Sequence, residues 1–345
     1  MVLPETFVGA LCLMILGMLC LASWANMFKL SGKWRFELFY FDFAFGVLLT
    51  SVIAAFTFGD LGFDGFQFVD DLLHAGKRQW FYGFSAGMIF NLANMLLLAA
   101  VSVSGFSVAF PVGIGLTLLI GVITNYIGSP RANAILLFFG CAVIGAAIVA
   151  DAMAYRGLAM LHREHQIRQG KSKTTLRRVS LKGILLSVAA GILLGCCFPI
   201  VELGRQGELG LGPYAITFLF AVGIFLSTPV FNLFFMNLPV EGEPLEILDY
   251  FRGKPKQHLQ GLLAGIIWCA GMISNLVAVS GAQPVQLSPV VSFAVGQSAA
   301  LLWGLLLWKE FAGSDTRVKS LVTMMLVLFI SGVAMVLIAP LFSKA

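Results

Sequence analysis

The chain has 345 residues, of which 59% are hydrophobic and 11% are charged, with a net charge of +5 and a mean hydropathy of +0.92. About 25% of the residues in a soluble domain are charged. The composition therefore excludes a soluble globular enzyme, a disordered protein and a nucleic-acid-binding domain. It predicts an all-α polytopic membrane protein that lies in a lipid bilayer and does not bind nucleic acid.

Ten apolar stretches are long enough to cross a bilayer, which takes about 20 helical residues each. They lack the strict alternation of barrel strands, so we expect ten transmembrane helices. The first stretch has no basic segment before it and is too long for the apolar part of a cleaved signal peptide. In chain order the predicted helices cover residues 5–28, 36–58, 80–103, 106–127, 134–154, 181–203, 213–237, 260–280, 285–308 and 319–342.

The six cysteines all lie inside predicted helices, and the four histidines all lie in predicted loops. Cysteines confined to membrane spans do not form a disulfide framework or a zinc site. We therefore expect no metal site in this protein.

The loops after odd-numbered helices hold 17 of the 22 lysines and arginines. Cytoplasmic loops of membrane proteins are enriched in these residues. The sequence thus predicts that both termini are non-cytoplasmic and that the basic segment 155–180 is cytoplasmic. The membrane would be a bacterial inner membrane or a plasma membrane.

The two halves of the chain resemble each other. Shifts of 174, 177 and 178 residues align the first, second and third predicted helices with the sixth, seventh and eighth. The shift of 178 pairs Gly83, Ala86, Gly87 and Ile89 with Gly261, Ala264, Gly265 and Ile267. Chance similarity between glycine-rich apolar helices is the alternative explanation, but three nearly equal shifts in chain order argue against it.

This similarity divides the chain into a five-helix repeat (1–154), a basic linker (155–180) and a second five-helix repeat (181–345). Because five is odd, the second repeat begins on the opposite side of the membrane. The predicted fold is therefore ten transmembrane helices in two inverted five-helix repeats. Secondary transporters use this architecture for alternating access.

Two prolines, Pro111 and Pro289, occupy matching positions in the two halves. A proline inside a helix removes one backbone donor and frees a carbonyl. Matching interruptions of this kind point to the substrate site of a transporter. The alternative is that the two prolines make packing kinks.

Asp42 lies about six residues into the second predicted helix, and no lysine or arginine lies in a span interior. An ionised carboxylate within a membrane costs several kcal/mol unless it is paired or hydrated. Asp42 is therefore a candidate for proton coupling. The alternative is an acid at the cytoplasmic interface, close to Lys33 and Arg35.

Polar and aromatic side chains within the predicted spans are candidates for substrate binding. Amides and hydroxyls at this depth suit a neutral solute rich in carbonyl, N–H or hydroxyl groups, and tryptophans can stack on its ring. Hydrogen bonding between helices and core packing are the alternatives. The candidates are Trp24, Asn91, Asn94, Trp268, Asn275, Gln297 and Ser298.

Three segments carry a family resemblance: FDFAFGVLLTSVIAAFTFGDLG at 41–62, the segment 87–133 that begins GMIFNLANM, and LLWGLLLWKEFAG at 301–313. They resemble the drug/metabolite transporter superfamily and, within it, the ureide permeases and the related glucose/rhamnose uptake proteins. The resemblance covers nearly the whole chain. It implies a ten-helix fold, a cytoplasmic central loop and proton-driven uptake of ureides such as allantoin or nucleobases such as uracil. Asp42 and Asn94 match positions in that pattern.

The chain departs from the ureide permease pattern in three places. Its central loop is much shorter, Leu97 and Leu98 fill a stretch where a glutamine is expected, and AVGQS at 294–298 is more similar to the sugar-uptake relatives. Uptake of a sugar such as rhamnose or glucose is therefore the alternative to uptake of a ureide or nucleobase.

The sequence thus predicts a secondary active transporter that takes up a small polar neutral metabolite and uses the proton gradient, with no cofactor. A drug or metabolite exporter is a second alternative, although several amides at depth favour a neutral solute over a cation. An enzyme or receptor scaffold is not expected, because no predicted span holds a histidine and the longest loop has about 26 residues. The protein would act as a monomer or a homodimer.

Overall fold

The computed structural model describes residues 1–342 apart from 63, 105, 129–132, 169–180, 282–291, 294, 297–302, 304, 306, 310 and 312. The described part of the chain forms helices and connecting turns and contains no strand. Its helices are α1 (Phe7–Leu30), α2 (Phe36–Phe56), α3 (Phe68–His74), α4 (Lys77–Ser104), α5 (Phe106–Gly128), α6 (Ala134–Arg168), α7 (Leu181–Arg205), α8 (Pro213–Asn237), α9 (Ile247–Phe251), α10 (Pro255–Ala278) and α11 (Thr316–Ile338), followed by a 3₁₀ turn at Ala339–Phe342.

Eight of the described helices are long and apolar enough to cross a membrane: α1, α2, α4, α6, α7, α8, α10 and α11. Helix α5 contains a shorter apolar stretch, Ala109–Thr124. The predicted ninth span, 285–308, lies largely outside the described residues. The all-helical membrane architecture predicted from composition is therefore confirmed for the described part of the chain.

Two helices extend beyond their predicted limits because polar first or last turns do not register in hydropathy. Helix α10 begins at Pro255 rather than at 260, since proline is favourable in the first turn of a helix. Helix α6 continues to Arg168, into the segment predicted as linker. The added residues of α10 place His258 inside the helix and not in a loop, where its side chain reaches Asp42 of α2.

Glycines allow two pairs of helices to cross with their backbones in contact. A Cβ built on Gly46 of α2 would meet the carbonyl oxygen of Leu262 and lie 3.2 Å from the Cα of Gly265, both on α10. Such close approach through small residues is typical of helix packing in membranes. The large buried side chains of the protein lie beside this crossing.

The crossing of α8 with α4 has the same geometry. A Cβ built on Gly223 would meet the carbonyl oxygen of Phe84 and lie 3.2 Å from the Cα of Gly87. Gly223 and Gly87 are the residues that the shifts of 177 and 178 pair with Gly46 and Gly265. Helix α2 also contacts α8, so the four helices form one central group.

Candidate functional site

A cluster of aromatic rings occupies the centre of the four-helix group. Trp268 of α10 is fully buried, and its ring centroid lies 4.4 Å from that of Phe90 on α4. The ring of Phe220 on α8 is stacked on Trp268 at 5.9 Å with an interplanar angle of 16°. Phe43 on α2 lies 6.2 Å from Trp268. Each of the four crossing helices thus contributes one ring to this aromatic cluster.

Further rings extend the aromatic cluster on two sides. Trp24 of α1 is fully buried and lies 5.2 Å from Phe43. On the other side, Phe198 of α7 lies 4.0 Å from Phe293, which is itself 6.2 Å from Trp268. Both predicted tryptophans therefore belong to one buried cluster of rings.

Asn94 lies at the edge of this cluster with half of its amide unpaired. Its Nδ2 donates a hydrogen bond of 3.2 Å to the hydroxyl oxygen of Tyr40, whose ring is 4.9 Å from Phe43. Its Oδ1 is buried and has no hydrogen-bond partner among the described residues. Leaving a buried acceptor unsatisfied costs about 1–3 kcal/mol, so this atom calls for a functional explanation.

The indole N–H of Trp268 is a donor, whereas the Oδ1 of Asn94 is an acceptor. Its Nε1 is buried and has no hydrogen-bond partner within the part of the chain that the structure describes. The cluster therefore offers one free acceptor and one free donor among apolar ring faces. A neutral ring that carries both N–H and C=O groups has the donor and the acceptor that these two atoms require.

Asn91 and Asn275 are bound within the protein. The Nδ2 of Asn91 donates to the backbone carbonyl of Ile224 at 3.1 Å and to the hydroxyls of Ser227 and Thr228 at 2.7 and 3.2 Å. The Nδ2 of Asn275 donates to the carbonyl of Gly271 at 3.0 Å, and its Oδ1 accepts from Ser292. The hydrogen bonds of Asn91 join α4 to α8, and that of Asn275 with Ser292 joins α10 to a later part of the chain. Hydrogen bonding between helices was the alternative to substrate binding for these residues.

Pro111 lies inside α5, and the helix continues through it from Phe106 to Gly128. Gln297, Ser298 and Pro289 lie outside the described residues.

Asp42 is buried, and both of its carboxylate oxygens are engaged. The hydroxyl of Tyr250 donates to Oδ1 at 2.6 Å, and the Nδ1 of His258 lies 2.9 Å from Oδ2. The ring of Trp34 packs edge-on against His258 at 5.4 Å. Arg35, which the interface alternative placed near Asp42, instead pairs with Glu37.

Neither partner of Asp42 was expected from the sequence. The prediction that His258 lies in a loop was wrong, because α10 begins three residues before it. The Lys254-Pro255 pair ahead of the apolar stretch is a helix-start signal that would have placed His258 in the first turn. Tyr250 lies on the short helix α9, and no local pattern connects it with Asp42, 208 residues away.

Comparison with known proteins places the chain near one group of plant transporters. It is 25% identical to ureide permease 2 of Arabidopsis thaliana and 23% identical to ureide permease 4 of the same plant, in each case over 98% of this chain and 98% of the relative. It is 20% identical to the probable ureide permease A3 of Vigna unguiculata over 91% of this chain. No family model matches the sequence.

One crystal structure superposes on the chain with a TM-score of 0.55 at 15% identity, covering 97% of this chain and 99% of the other. At this identity the likeness bears on the fold alone. Taken with the apolar helices, the sequence relatives make this a ureide permease-like integral membrane protein and point to a transporter rather than an enzyme.

Proposed function

We propose that the protein is a secondary active transporter that takes up a ureide such as allantoin, or a nucleobase, with the proton gradient as driving force. The observation that carries the proposal is the pair of unsatisfied groups in the aromatic cluster, the Oδ1 of Asn94 and the indole N–H of Trp268. Ureides and nucleobases are compact rings that carry amide N–H and C=O groups. They can stack on aromatic faces and satisfy both polar groups.

The chemistry of the cluster favours a neutral solute. The side chains around Trp268 are aromatic rings, and the polar groups beside them are an amide and a phenol. A cation exporter would place a carboxylate against its substrate, whereas Asp42 is engaged with Tyr250 and His258. A sugar would use the same stacking surface but would present hydroxyls on every edge.

The proposal includes ten helices in two inverted five-helix repeats, 1–154 and 181–345, joined by a cytoplasmic segment with both termini on the other side. This part of the proposal is supported by the two glycine crossings, which match each other. Gly46 and Gly265 lie at the crossing of α2 with α10, and their repeat counterparts Gly223 and Gly87 lie at the crossing of α8 with α4. The aromatic cluster lies where the crossings meet. Rocking one repeat against the other would open the cluster to either side in turn.

Proton coupling is assigned to Asp42. A ligand shifts a conformational equilibrium by as much as its affinities for the two states differ. A proton therefore drives the cycle if Asp42 binds it more tightly in one of the two open states. Asp42 directly precedes Phe43 of the aromatic cluster in the chain and lies two residues after Tyr40 on α2, which ties it to the substrate site.

Uptake into proteoliposomes tests the substrate class. We expect inward proton gradients to drive uptake of labelled allantoin or uracil, with no competition from rhamnose, glucose or a lipophilic cation. Trp268→Phe keeps a ring and removes the N–H, so it should weaken binding of the substrate about fivefold to tenfold, the worth of one hydrogen bond. Competition by a sugar or by the cation alone would overturn the proposal.

The matched control is Trp80→Phe. Trp80 is 41% exposed, and its indole donates to the carbonyl of Leu72 at 3.0 Å, away from the cluster. This variant loses the same indole N–H but should bind and transport as the unmodified protein does.

A further inference from the structure

The segment 238–254, which joins α8 to α10 and contains α9, is fixed at the Arg35 end of α2. Tyr250 donates to the side chain of Asp42, and Arg35 donates to the backbone carbonyl of Glu243. Lys182, in the first turn of α7, donates to the carbonyl of Val240. The segment is therefore attached to two helices, α2 and α7, and a buried carboxylate provides one of its attachments.

Asp42 joins two elements because each carboxylate oxygen has a partner from a different one. Oδ1 accepts from Tyr250 on α9, and Oδ2 faces the Nδ1 of His258 on α10. Helix α10 comes close to α2 here, since a Cβ on Gly261 would lie 2.6 Å from the Cβ of Asp42. Protonation of Asp42 therefore affects its contacts with α9 and with α10 at the same time.

The other charged groups near this point have partners of their own. On α2, Arg35 pairs with Glu37. On α9, Arg252 pairs with Asp249 at 3.1 Å. On α1, the ammonium group of Lys29 lies 4.5 Å above the ring of Trp308. Within the described residues the hydrogen-bond partners of Asp42 are Tyr250 and His258.

The ionised carboxylate accepts from both neighbours at once. Burial and the hydrogen bond to Asp42 raise the pKa of Tyr250, which therefore stays an O–H donor. His258 donates through Nδ1–H either as the imidazolium or as the matching neutral tautomer. Hydrogen bonds to an ionised acceptor are roughly twice as strong as neutral ones.

Protonation of Asp42 removes this arrangement. One oxygen then carries a hydrogen and competes with Tyr250 or with His258, while the other accepts only a neutral hydrogen bond. Both attachments weaken in the same step, and segment 238–254 then keeps its hydrogen bonds to Arg35, Lys182 and Met236 and the ring contact of Tyr250 with Phe41.

We propose that Asp42, Tyr250 and His258 form a proton-sensitive latch that holds segment 238–254 closed over the Arg35 end of α2 while Asp42 is ionised and releases it when Asp42 is protonated. The proposal rests on the proposed function, since it assigns the conformational consequence of proton binding to Asp42. His258 is a positioning residue, and Tyr250 is the link to the segment. Release would open the side that the positive charges mark as cytoplasmic.

Hydrogen–deuterium exchange of the full-length protein in lipid nanodiscs tests the latch without any substrate. Peptides covering 238–254 are compared at about pH 8 and about pH 5, after correction for intrinsic exchange. We expect protection of α9 to fall about tenfold at the lower pH, as a charge-assisted hydrogen bond is lost. Equal protection at both pH values would overturn the proposal.

Variants separate the two attachments. Tyr250→Phe should exchange fast at both pH values, and a pH response that survives in this variant would contradict the latch. His258→Leu should lower protection at the higher pH, whereas His258→Asn, which keeps a donor near the position of Nδ1, should restore it.

The matched controls are Tyr214→Phe and His74→Asn. The hydroxyl of Tyr214 donates to the carbonyl of Val2 at 2.9 Å, and the ring of His74 packs on Phe66. Neither control should change segment 238–254.

Uptake measurements distinguish the latch from the proposed function. Asp42→Asn should abolish gradient-driven accumulation while substrate exchange at equal pH continues, and Tyr250→Phe should reduce accumulation with ligand binding intact. Absence of ureide uptake together with an intact pH response of segment 238–254 would refute the proposed function and leave the latch standing. Uptake with no pH response of the segment would refute the latch alone.

Discussion

Asn91 and Asn94 show how two identical side chains, three residues apart on α4, come to differ in role. Residues spaced this way share a face of a helix, so the sequence treats them alike. In the structure Asn91 faces α8 and is bound by Ser227 and Thr228, whereas Asn94 faces Tyr40 and keeps its Oδ1 free. The first amide stabilises the helix pair, and the second remains available to a ligand.

Asn91→Ala should therefore lower stability without affecting ligand binding. Polar contacts between membrane helices contribute about 0.6 kcal/mol each on average, so the loss of the contacts to α8 should cost about 1–2 kcal/mol. The melting temperature in detergent and the ligand dissociation constant measure the two effects separately. Asn94→Ala should show the reverse pattern, and an unchanged ligand affinity in that variant would remove Asn94 from the site.

At the scale of the helices, the central group depends on backbone contact. Gly46 and Gly223 each meet a carbonyl oxygen of the neighbouring helix where a side chain would otherwise stand. The aromatic cluster depends on this spacing, because Phe43 reaches Trp268 across the crossing of α2 with α10 and Phe220 reaches Phe90 at 5.3 Å across the crossing of α4 with α8.

Gly46→Ala should separate α2 from α10, because its methyl group would occupy the place of the Leu262 carbonyl oxygen. Misfitted atoms in a packed interior cost about 1–3 kcal/mol or more, so we expect a lower melting temperature and a large loss of uptake. Gly145→Ala on α6 is the control, since a Cβ there meets nothing within 4 Å. That change should be neutral or slightly stabilising, as alanine is the better helix former by about 1 kcal/mol. Equal effects of the two variants would contradict the packing argument.

For the molecule as a whole, a second buried carboxylate lies at the end opposite the latch, where Asp71 of α3 contacts the start of α8. The carboxylate is 4% exposed, and its Oδ2 accepts from the backbone N–H of Gly212 at 2.9 Å, directly before α8. Burial raises the pKa of Asp71 above its ordinary value of 3.8, although the hydrogen bond to Gly212 partly opposes this. The folded protein therefore binds this proton more tightly than the unfolded chain does.

The sign of the pH dependence follows from that difference. The contribution of Asp71 to stability is fully present below the unfolded pKa and is lost as pH rises through the raised folded pKa. Asp71→Asn keeps an acceptor for Gly212 and removes the charge, so it should raise the melting temperature at neutral pH and flatten the profile above pH 3.8. The exposed neighbour variant Asp70→Asn should leave the profile unchanged. A profile for Asp71→Asn that matches the unmodified protein would contradict this account.

The membrane setting, most helix positions and the ureide permease-like character could be predicted from the sequence. The membrane spans are readable in this way because the free energy of transfer from water to lipid is a property of each local stretch. Trp24 and Trp268, predicted as candidates for substrate binding, both lie in the aromatic cluster. The number of spans, the inverted repeat and the proton coupling remain predictions, and part of the ninth span lies beyond the described residues.

Only the tertiary structure decided which polar groups are satisfied. Asn91 meets Thr228 across 137 residues, Tyr250 meets Asp42 across 208 and His258 meets Asp42 across 216. A hydrogen bond depends on distance and direction in space, and composition and periodicity report on neither. The same physics left the Oδ1 of Asn94 and the Nε1 of Trp268 among the buried polar atoms that have no hydrogen-bond partner within the described residues.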